Sequence, residues 1–203
     1  MITTKKELKE YLDADALLYP KLSRNIFSKL KNIVVTNPQN SQHKIYSYLK
    51  CLRHAEYHAN NVKSQKRISL ESIFHTIQMI GYYYRLRKLS YQTGIQIAPN
   101  SFGKGLQIWH YGYIVVNADA RIGDYATIYP GVVIGAKPNG IPTIGNHVFI
   151  GAGSKILGGI RIGDNVTIAP NAVVTKDVPD NVICGWRVSI RRCNPSGNRS
   201  CGM

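Results

Sequence analysis

Val116-Asn117-Ala118-Asp119-Ala120-Arg121-Ile122-Gly123-Asp124-Tyr125-Ala126-Thr127-Ile128 opens a stretch that reads in sixes as far as Val174. Val116, Ile122, Ile128 and Ile134 lie six residues apart, and Ile144, Ile150, Ile156, Ile162, Ile168 and Val174 resume the same step. Four residues after each aliphatic comes a second small or apolar side chain: Ala120, Ala126, Val132, Val148, Ser154, Ile160, Val166, Ala172 and Val178. The residue directly after the aliphatic is often glycine, as at Gly123, Gly135, Gly145, Gly151 and Gly163. A period of six fits neither a helix of 3.6 residues per turn nor plain alternation along one long strand. It fits short parallel strands joined by tight turns, each flat side burying one aliphatic, which is the pattern of a β-solenoid.

Working outward, the segment Gly94–Val116 keeps a looser register. Ile97, Leu106, Ile108 and Ile114 are the inward candidates, and Pro99-Asn100 and Gly103-Lys104-Gly105 form corners. The step from Ile134 to Ile144 is ten, so four residues are inserted around Ala136-Lys137-Pro138-Asn139-Gly140-Ile141-Pro142. A solenoid extrudes such residues as a loop, and loops on rigid scaffolds commonly carry function. Beyond Pro179-Asp180-Asn181 the hexads stop, and Val182–Arg192 reads as a strand that closes the end of the coil.

Residues 1–93 are helical in pattern. Thr4-Lys5-Lys6-Glu7 is a capping box opening a helix towards Leu18. A second helix is expected over Lys21–Lys31 and a third over Gln42–His58, the latter with Ile45, Leu49, Leu52 and Tyr57 buried. Asn37–Ser41 between them is turn chemistry. Ser69 caps a fourth helix running to about Leu89, rich in Ile73, Ile77, Ile80, Tyr82, Tyr83 and Tyr84, whose aromatics are expected to pack against a helix or a subunit neighbour. His43, His54, His58 and His75 are read as solvent-exposed, since His54 and His58 share a face but lack a third ligand and the His-Glu-x-x-His pattern. The chain thus divides into 1–93, a helical domain for packing or oligomerisation; 94–192, the solenoid; and 193–203, a Gly/Ser/Asn-rich tail expected to be flexible.

The 203 residues carry a formal net charge of +15, with 16 basic and 6 acidic side chains up to residue 93 and 10 and 5 after it. Such an excess suits an anionic ligand; no helix-turn-helix, zinc-finger or RNP-type motif supports nucleic-acid binding. No apolar run reaches the roughly 20 residues of a membrane span. The charged start MITTKKELKEYLDADA reads as cytoplasmic, and Cys51, Cys184, Cys193 and Cys201 show no CxxC spacing and read as reduced thiols.

His110, in Gln107-Ile108-Trp109-His110-Tyr111-Gly112-Tyr113-Ile114-Val115-Val116, is the candidate general base. Its apolar and aromatic neighbours are expected to desolvate the ring partly and favour the neutral form, which accepts a proton from an attacking hydroxyl.

The hexads as a whole resemble those of the hexapeptide-repeat acyltransferases. The tract Phe102–His110, continued by Ile114-Val115-Val116, resembles the catalytic stretch of serine acetyltransferases and of relatives encoded with capsule and exopolysaccharide genes. The resemblance implies a left-handed parallel β-helix with three hexads per triangular coil, preceded by an all-α domain. It implies O-acetyl transfer from acetyl-CoA to L-serine, a step of cysteine biosynthesis, with His110 as base. It implies a homotrimer or a dimer of trimers, with CoA lying between adjacent coils and no metal. The pantetheine arm is then expected along Gly151, Ala152, Gly153 and Ser154 and along Ala169, with Lys176, Arg187, Arg191 and Arg192 as phosphate partners.

Three departures bear on the acceptor. Serine acetyltransferases place Asp directly before the catalytic histidine, where this chain has Trp109. They carry a second histidine in the inserted loop, where this chain has Ile141. Many end in an Ile that docks into a sulfhydrylase, where this chain ends in Met203. Trp109 and Tyr111 suit the apolar face of a sugar ring, so O-acetylation of a sugar in capsule or exopolysaccharide assembly is the alternative. His147, at a turn of its hexad, is a candidate replacement for the loop histidine. Two other classes remain: zinc-dependent hydration, for which the solenoid offers only His110 and His147 where three histidines are needed, and a non-catalytic scaffold.

Overall fold

The computed structural model describes residues 1–19, 42–64, 69–185 and the backbone of 190–192. The helix expected over Lys21–Lys31, the Asn37–Ser41 turn, Arg187 and the tail 193–203 lie outside the described residues. Three helices precede the solenoid: α1 (Lys5–Ala16), α2 (Gln42–Ser64) and α3 (Leu70–Thr93). The Thr4–Glu7 capping box is present, and Ser69 caps α3. Both α2 and α3 outrun their expected ends, because neither sequence meets a glycine or proline stop where the apolar stripe fades. Gly94 ends α3 in the left-handed conformation (φ 75°), which only glycine adopts freely.

The solenoid is three-sided and parallel. One face stacks β1 (Ile95–Gln96), β3 (Ile114–Val116), β6 (Val133–Gly135), β9 (Lys155–Leu157) and β12 (Val173–Val174). A second stacks β4 (Arg121–Ile122), β7 (Thr143–Ile144) and β10 (Arg161–Ile162). The third stacks β2 (Gln107–Ile108), β5 (Thr127–Ile128), β8 (Phe149–Ile150), β11 (Thr167–Ile168) and β13 (Val182–Cys184), with β14 (Ile190–Arg192) antiparallel on its end. Register runs through the hexad aliphatics: Val116 on Ile134, Ile134 on Ile156 and Ile156 on Val174 on one face, and Ile108, Ile128, Ile150, Ile168 and Cys184 on another. All are buried, as are the second small residues of each hexad, including Ser154. Each such isoleucine contributes about 1.5–3 kcal/mol by leaving water. The stack continues into the helices, since Tyr48, Leu49, Leu52 and Leu86 belong to the same buried cluster as the solenoid core.

Gly123, Gly145 and Gly163 have one local cause. Asp124, Asn146, Asp164 and Asp180 form a vertical spine in which each side chain accepts the backbone N–H of the coil before it: Lys104 to Asp124 (3.0 Å), Asp124 to Asn146 (2.8 Å), Asn146 to Asp164 (2.6 Å) and Asp164 to Asp180 (2.8 Å). A Cβ on Gly145 would collide with Asp164 Oδ1 and stand 2.8 Å from the Gly163 carbonyl. Gly145→Ala is therefore expected to destabilise by about 2 kcal/mol, read as a lower urea midpoint at unchanged slope; an unchanged midpoint would show that the spine yields freely.

A solenoid's first coil leaves strand edges with no coil above them. Here helical side chains take that place. Asp15 accepts from Leu106 N–H (3.0 Å), Tyr19 from Ile108 N–H (2.8 Å), Tyr48 from Ile97 N–H (3.1 Å) and Glu56 from Asn100 N–H (2.8 Å). Arg53, fully buried, donates to the carbonyls of Phe102 (3.0 Å) and Gly103 (2.5 Å) while pairing with Asp15 (2.9 Å) and Glu56 (3.1 Å). Burial raises the pKa of the Glu56 carboxyl from its ordinary value, and Arg53 opposes that shift.

Two helical histidines correct the exposed reading. His58 and His75 are buried between α2 and α3, their Nδ1 atoms 2.9 Å apart, and His54 and His58 stack on Tyr82. The reason is aromatic: Tyr57, Phe74 and Tyr82 enclose the pair, so the imidazoles act as core rings. Of the three tyrosines, Tyr82 packs inward as expected and Tyr84 faces outward. Burial, with His75 and then His54 nearby, lowers His58 from 6.5 to about 4. The unfolded chain then binds the extra proton between those values and the folded chain does not. Stability is complete above about pH 6.5 and is lost as pH falls towards 4. Melting temperatures from pH 7.5 to 4.5 should show this slope and His58→Phe should flatten it; an equal slope in the variant would remove His58 as its source.

Candidate active site

His110 lies in the turn between β2 and β3, at the corner where the third face passes into the first. The turn is held from three sides. Gln42 at the start of α2 donates to the Trp109 carbonyl (2.8 Å), Trp109 N–H reaches Ile128 O (3.4 Å), and Gly112 N–H reaches Thr93 O at the end of α3 (3.1 Å). Gly112 has φ 145°, and a Cβ there would press on Pro130 at 2.6 Å, so the turn can sit this low only with glycine.

Beneath it, the same corner repeats coil by coil. Gly131 N–H donates to Tyr113 O (2.7 Å), Gly153 N–H to Pro130 O (2.9 Å) and Asn171 N–H to Ala152 O (2.7 Å). The structure therefore stacks the Gly151–Ser154 and Ala169 tracts directly under the His110 turn. Gly151 and Ser154 are buried, and the Ser154 hydroxyl donates inward to Gly151 O (2.7 Å) with Ala169 O at 3.0 Å. Ala152 is exposed and Gly153 and Ala169 are partly so, whereas Ser154 shapes the corner and offers no side chain to a ligand.

Trp109 stacks on Tyr129 (centroids 6.0 Å, 20°), Tyr129 contacts Phe149 (5.4 Å), and the His110 ring is 6.4 Å from Tyr129. Trp109, His110 and Tyr111 are exposed. The expected partial desolvation of His110 is thus not supplied by the described residues, which leave it exposed. Among the described residues its ring nitrogens make no hydrogen bond.

Sequence reasoning passed over Lys155 as a cation of this corner. Its ammonium donates to Gly131 O (2.6 Å) and Tyr113 OH (3.2 Å) and lies 5.3 Å from the Tyr113 ring centre. The available signal was its place one residue before Ile156, which points it outward beside the glycine tract.

Other candidates lie elsewhere. His147 occupies a different corner, between the second and third faces, in a left-handed conformation (φ 54°) and stacked on Tyr125 at 5.0 Å. It does not meet His110 within one chain. The inserted loop forms a tight reversal, with Lys137 and Gly140 exchanging backbone bonds of 2.9 Å, and folds back so that Asn139 accepts from Gly159 N–H (3.3 Å). Ile141 packs partly against the solenoid core at the corner between the first and second faces. Lys176 is exposed after β12 at that same corner. Arg191 lies in β14, paired with Ile183. One chain therefore unites His110, Trp109, Tyr111 and the glycine tracts, and holds Ile141 and Lys176 apart from them. Among the described residues no three His, Cys, Asp or Glu side chains converge as a metal site, and no helix is long and apolar enough to cross a membrane.

Residues 141–176 match the bacterial transferase hexapeptide family (six repeats). Over 114 residues the chain is 42% identical to the serine acetyltransferase of Helicobacter pylori, covering 52% of this chain and 67% of that one. The chain belongs to the serine acetyltransferase family, and its reaction class is acyl transfer. Solved folds agree. A serine acetyltransferase in complex with CoA superposes with a TM-score of 0.64 at 21% identity, covering 92% of this chain and 71% of that one. The soybean enzyme complexed with serine gives 0.62 at 22%, covering 92% and 70%.

Proposed function

We propose that the protein transfers the acetyl group of acetyl-CoA to the hydroxyl of a small acceptor, L-serine first, in the cytoplasm. The observation that carries this is the corner itself: an exposed histidine held above stacked, side-chain-poor tracts, in a chain that is 42% identical to a serine acetyltransferase over 114 residues. A relative's CoA complex and another's serine complex support the two substrates. In the proposed step the His110 imidazole takes the acceptor's hydroxyl proton as the oxygen attacks the thioester carbonyl. The tetrahedral oxyanion collapses with loss of the C–S bond, and the imidazolium returns the proton to the departing CoA thiolate. The pantetheine arm lies along Ala152, Gly153 and Ala169, and Lys155 adds positive charge at that corner. Among the described residues the ring has no orienting partner, and Ile141 sits at another corner, so the complete site draws on a second copy, as in a trimer.

One observation favours a second acceptor. The Trp109–Tyr129–Phe149 ladder beside His110 offers apolar faces, and the tracts 109–113, 129–131, 151–155 and 169–172 contain no carboxylate to pair with an amino acid's ammonium. That suits a sugar hydroxyl. The test is release of free CoA from acetyl-CoA with L-serine and, separately, with hexoses, aminosugars and nucleotide sugars. Turnover with serine supports the first reading; turnover confined to a sugar replaces it with the second. Failure to bind CoA at all leaves a non-catalytic scaffold.

A further inference from the structure

The His110 corner holds a polar pair for which the reaction step above has no task at the reacting carbonyl. Tyr113 directly precedes β3, three residues past His110, and is exposed. Its main chain is fixed from both sides: its carbonyl accepts from Gly131 N–H (2.7 Å), and the N–H of Ile114 reaches Gly94 O (3.1 Å). Lys155 opens β9 two coils lower, where β9 pairs with β6 and β6 with β3. Its ammonium reaches back up the corner to Gly131 O (2.6 Å) and to the Tyr113 hydroxyl (3.2 Å).

The chemistry of the two groups fixes which of them donates. An ammonium has three N–H donors and no acceptor, so the lysine donates and the phenol oxygen accepts. Among the described residues the tyrosine's own O–H is then unused, and so is the third N–H of Lys155. A phenol that accepts from a cation donates more strongly in turn, because hydrogen bonds in a chain polarise one another. The hydroxyl also stands beside bare main chain. A Cβ on Gly131 would lie 3.0 Å from Gly153 Cα and N and 3.8 Å from the Tyr113 hydroxyl. That glycine step separates the His110 turn from Ala152 and Gly153, the tract along which the pantetheine arm is proposed to run.

We infer that the Tyr113 hydroxyl donates to the thioester oxygen during acetyl transfer, with Lys155 as the residue that positions it; this rests on the reaction proposed above. A thioester held between a base in the upper turn and an arm on the lower tracts has to cross the level of Gly131, where this hydroxyl stands. As the acceptor oxygen adds to the carbonyl carbon, the C=O electron pair moves onto the thioester oxygen. The Tyr113 O–H tightens its hydrogen bond to that oxygen and keeps its proton. When the oxyanion re-forms the carbonyl and expels the CoA sulfur, the hydrogen bond relaxes again. A donor placed where charge develops stabilises the transition state more than the bound substrate. Lys155 holds the phenol oxygen from behind, so the O–H is left to face the reacting group and not the lysine.

The test is steady-state kinetics of the full chain and of Tyr113→Phe, Lys155→Met and the double variant. Each is run with acetyl-CoA and with its dithioacetyl analogue, in which sulfur replaces the carbonyl oxygen. Tyr113→Phe keeps the ring and removes one oxygen; its kcat is expected to fall about 10²- to 10³-fold, with the KM for acetyl-CoA held within about twofold. Sulfur is the poorer acceptor, so the wild type's preference for acetyl-CoA over the analogue should shrink in Tyr113→Phe; a merely structural role would leave that ratio unchanged. Lys155→Met should lower kcat in the same sense, and the double variant should be no slower than Tyr113→Phe, because the lysine acts through the hydroxyl. Full kcat in Tyr113→Phe overturns the inference, and so does a raised KM at unchanged kcat, which would move Tyr113 to the pantetheine arm. A wild type that releases no CoA with L-serine or any of the sugars overturns the reaction itself and this role with it, so wild-type turnover separates the two failures.

Discussion

Arg53→Ala is expected to cost about 3–5 kcal/mol of folding free energy, and on a domain of ordinary stability that leaves little native protein at 37 °C. The size follows from what the side chain does. It is fully buried, donates to the carbonyls of Phe102 and Gly103, and neutralises Asp15 and Glu56. Truncation strands two carboxylates and two backbone carbonyls away from water, each of which is costly alone. Arg53→Lys should recover only part of the loss, because an ammonium cannot reach four acceptors with a planar fork. Urea denaturation followed by circular dichroism gives the number. A loss under about 1 kcal/mol, within the range of a surface ion pair, would mean that the helices do not close the first coil in the way described.

His110→Ala carries the second large effect, on rate alone. Removing a general base typically costs 10²- to 10⁴-fold, and acceptor-dependent release of CoA should fall by that factor. The fold should be untouched, since His110 is exposed and its ring makes no hydrogen bond among the described residues. The KM for acetyl-CoA should stay within about twofold, because the proposed contacts of the pantetheine arm are backbone groups of lower coils and would be made equally in ground and transition states. A variant that keeps full turnover would dismiss His110 as the base. One that loses CoA affinity in step with rate would recast it as a binding residue.

The solenoid was legible because every coil repeats the same demand: the inward positions from Ile97 to Val178 were read from the period and all are buried. The closure of the first coil was not. Asp15, Tyr19, Tyr48, Arg53 and Glu56 are scattered through helices, and a polar residue that satisfies a distant strand edge looks, in sequence, like one that faces water. The histidines of α2 and α3 misled for the same reason. At the site, the His110 turn and the glycine tracts were named together and do stack. That His147 stands apart was implicit in the register, since Ile144 stacks on Ile122 while Ile108 stacks on Ile128. Two residues carried on different faces of a triangle do not converge at one corner.

The buried hydrogen bonds by which the helical cap holds the first coil go to main-chain amides and carbonyls. Those bonds do not depend on the side chains of the hexads below, and at the far end of the stack β14 pairs with β13. A whole coil duplicated or deleted between them would leave both closures intact. His110, fixed in the topmost coil, would keep its place against the helices while the length of the rod beneath it changed. The architecture separates two closed ends from a shaft of repeats between them, whose length is set independently of either closure.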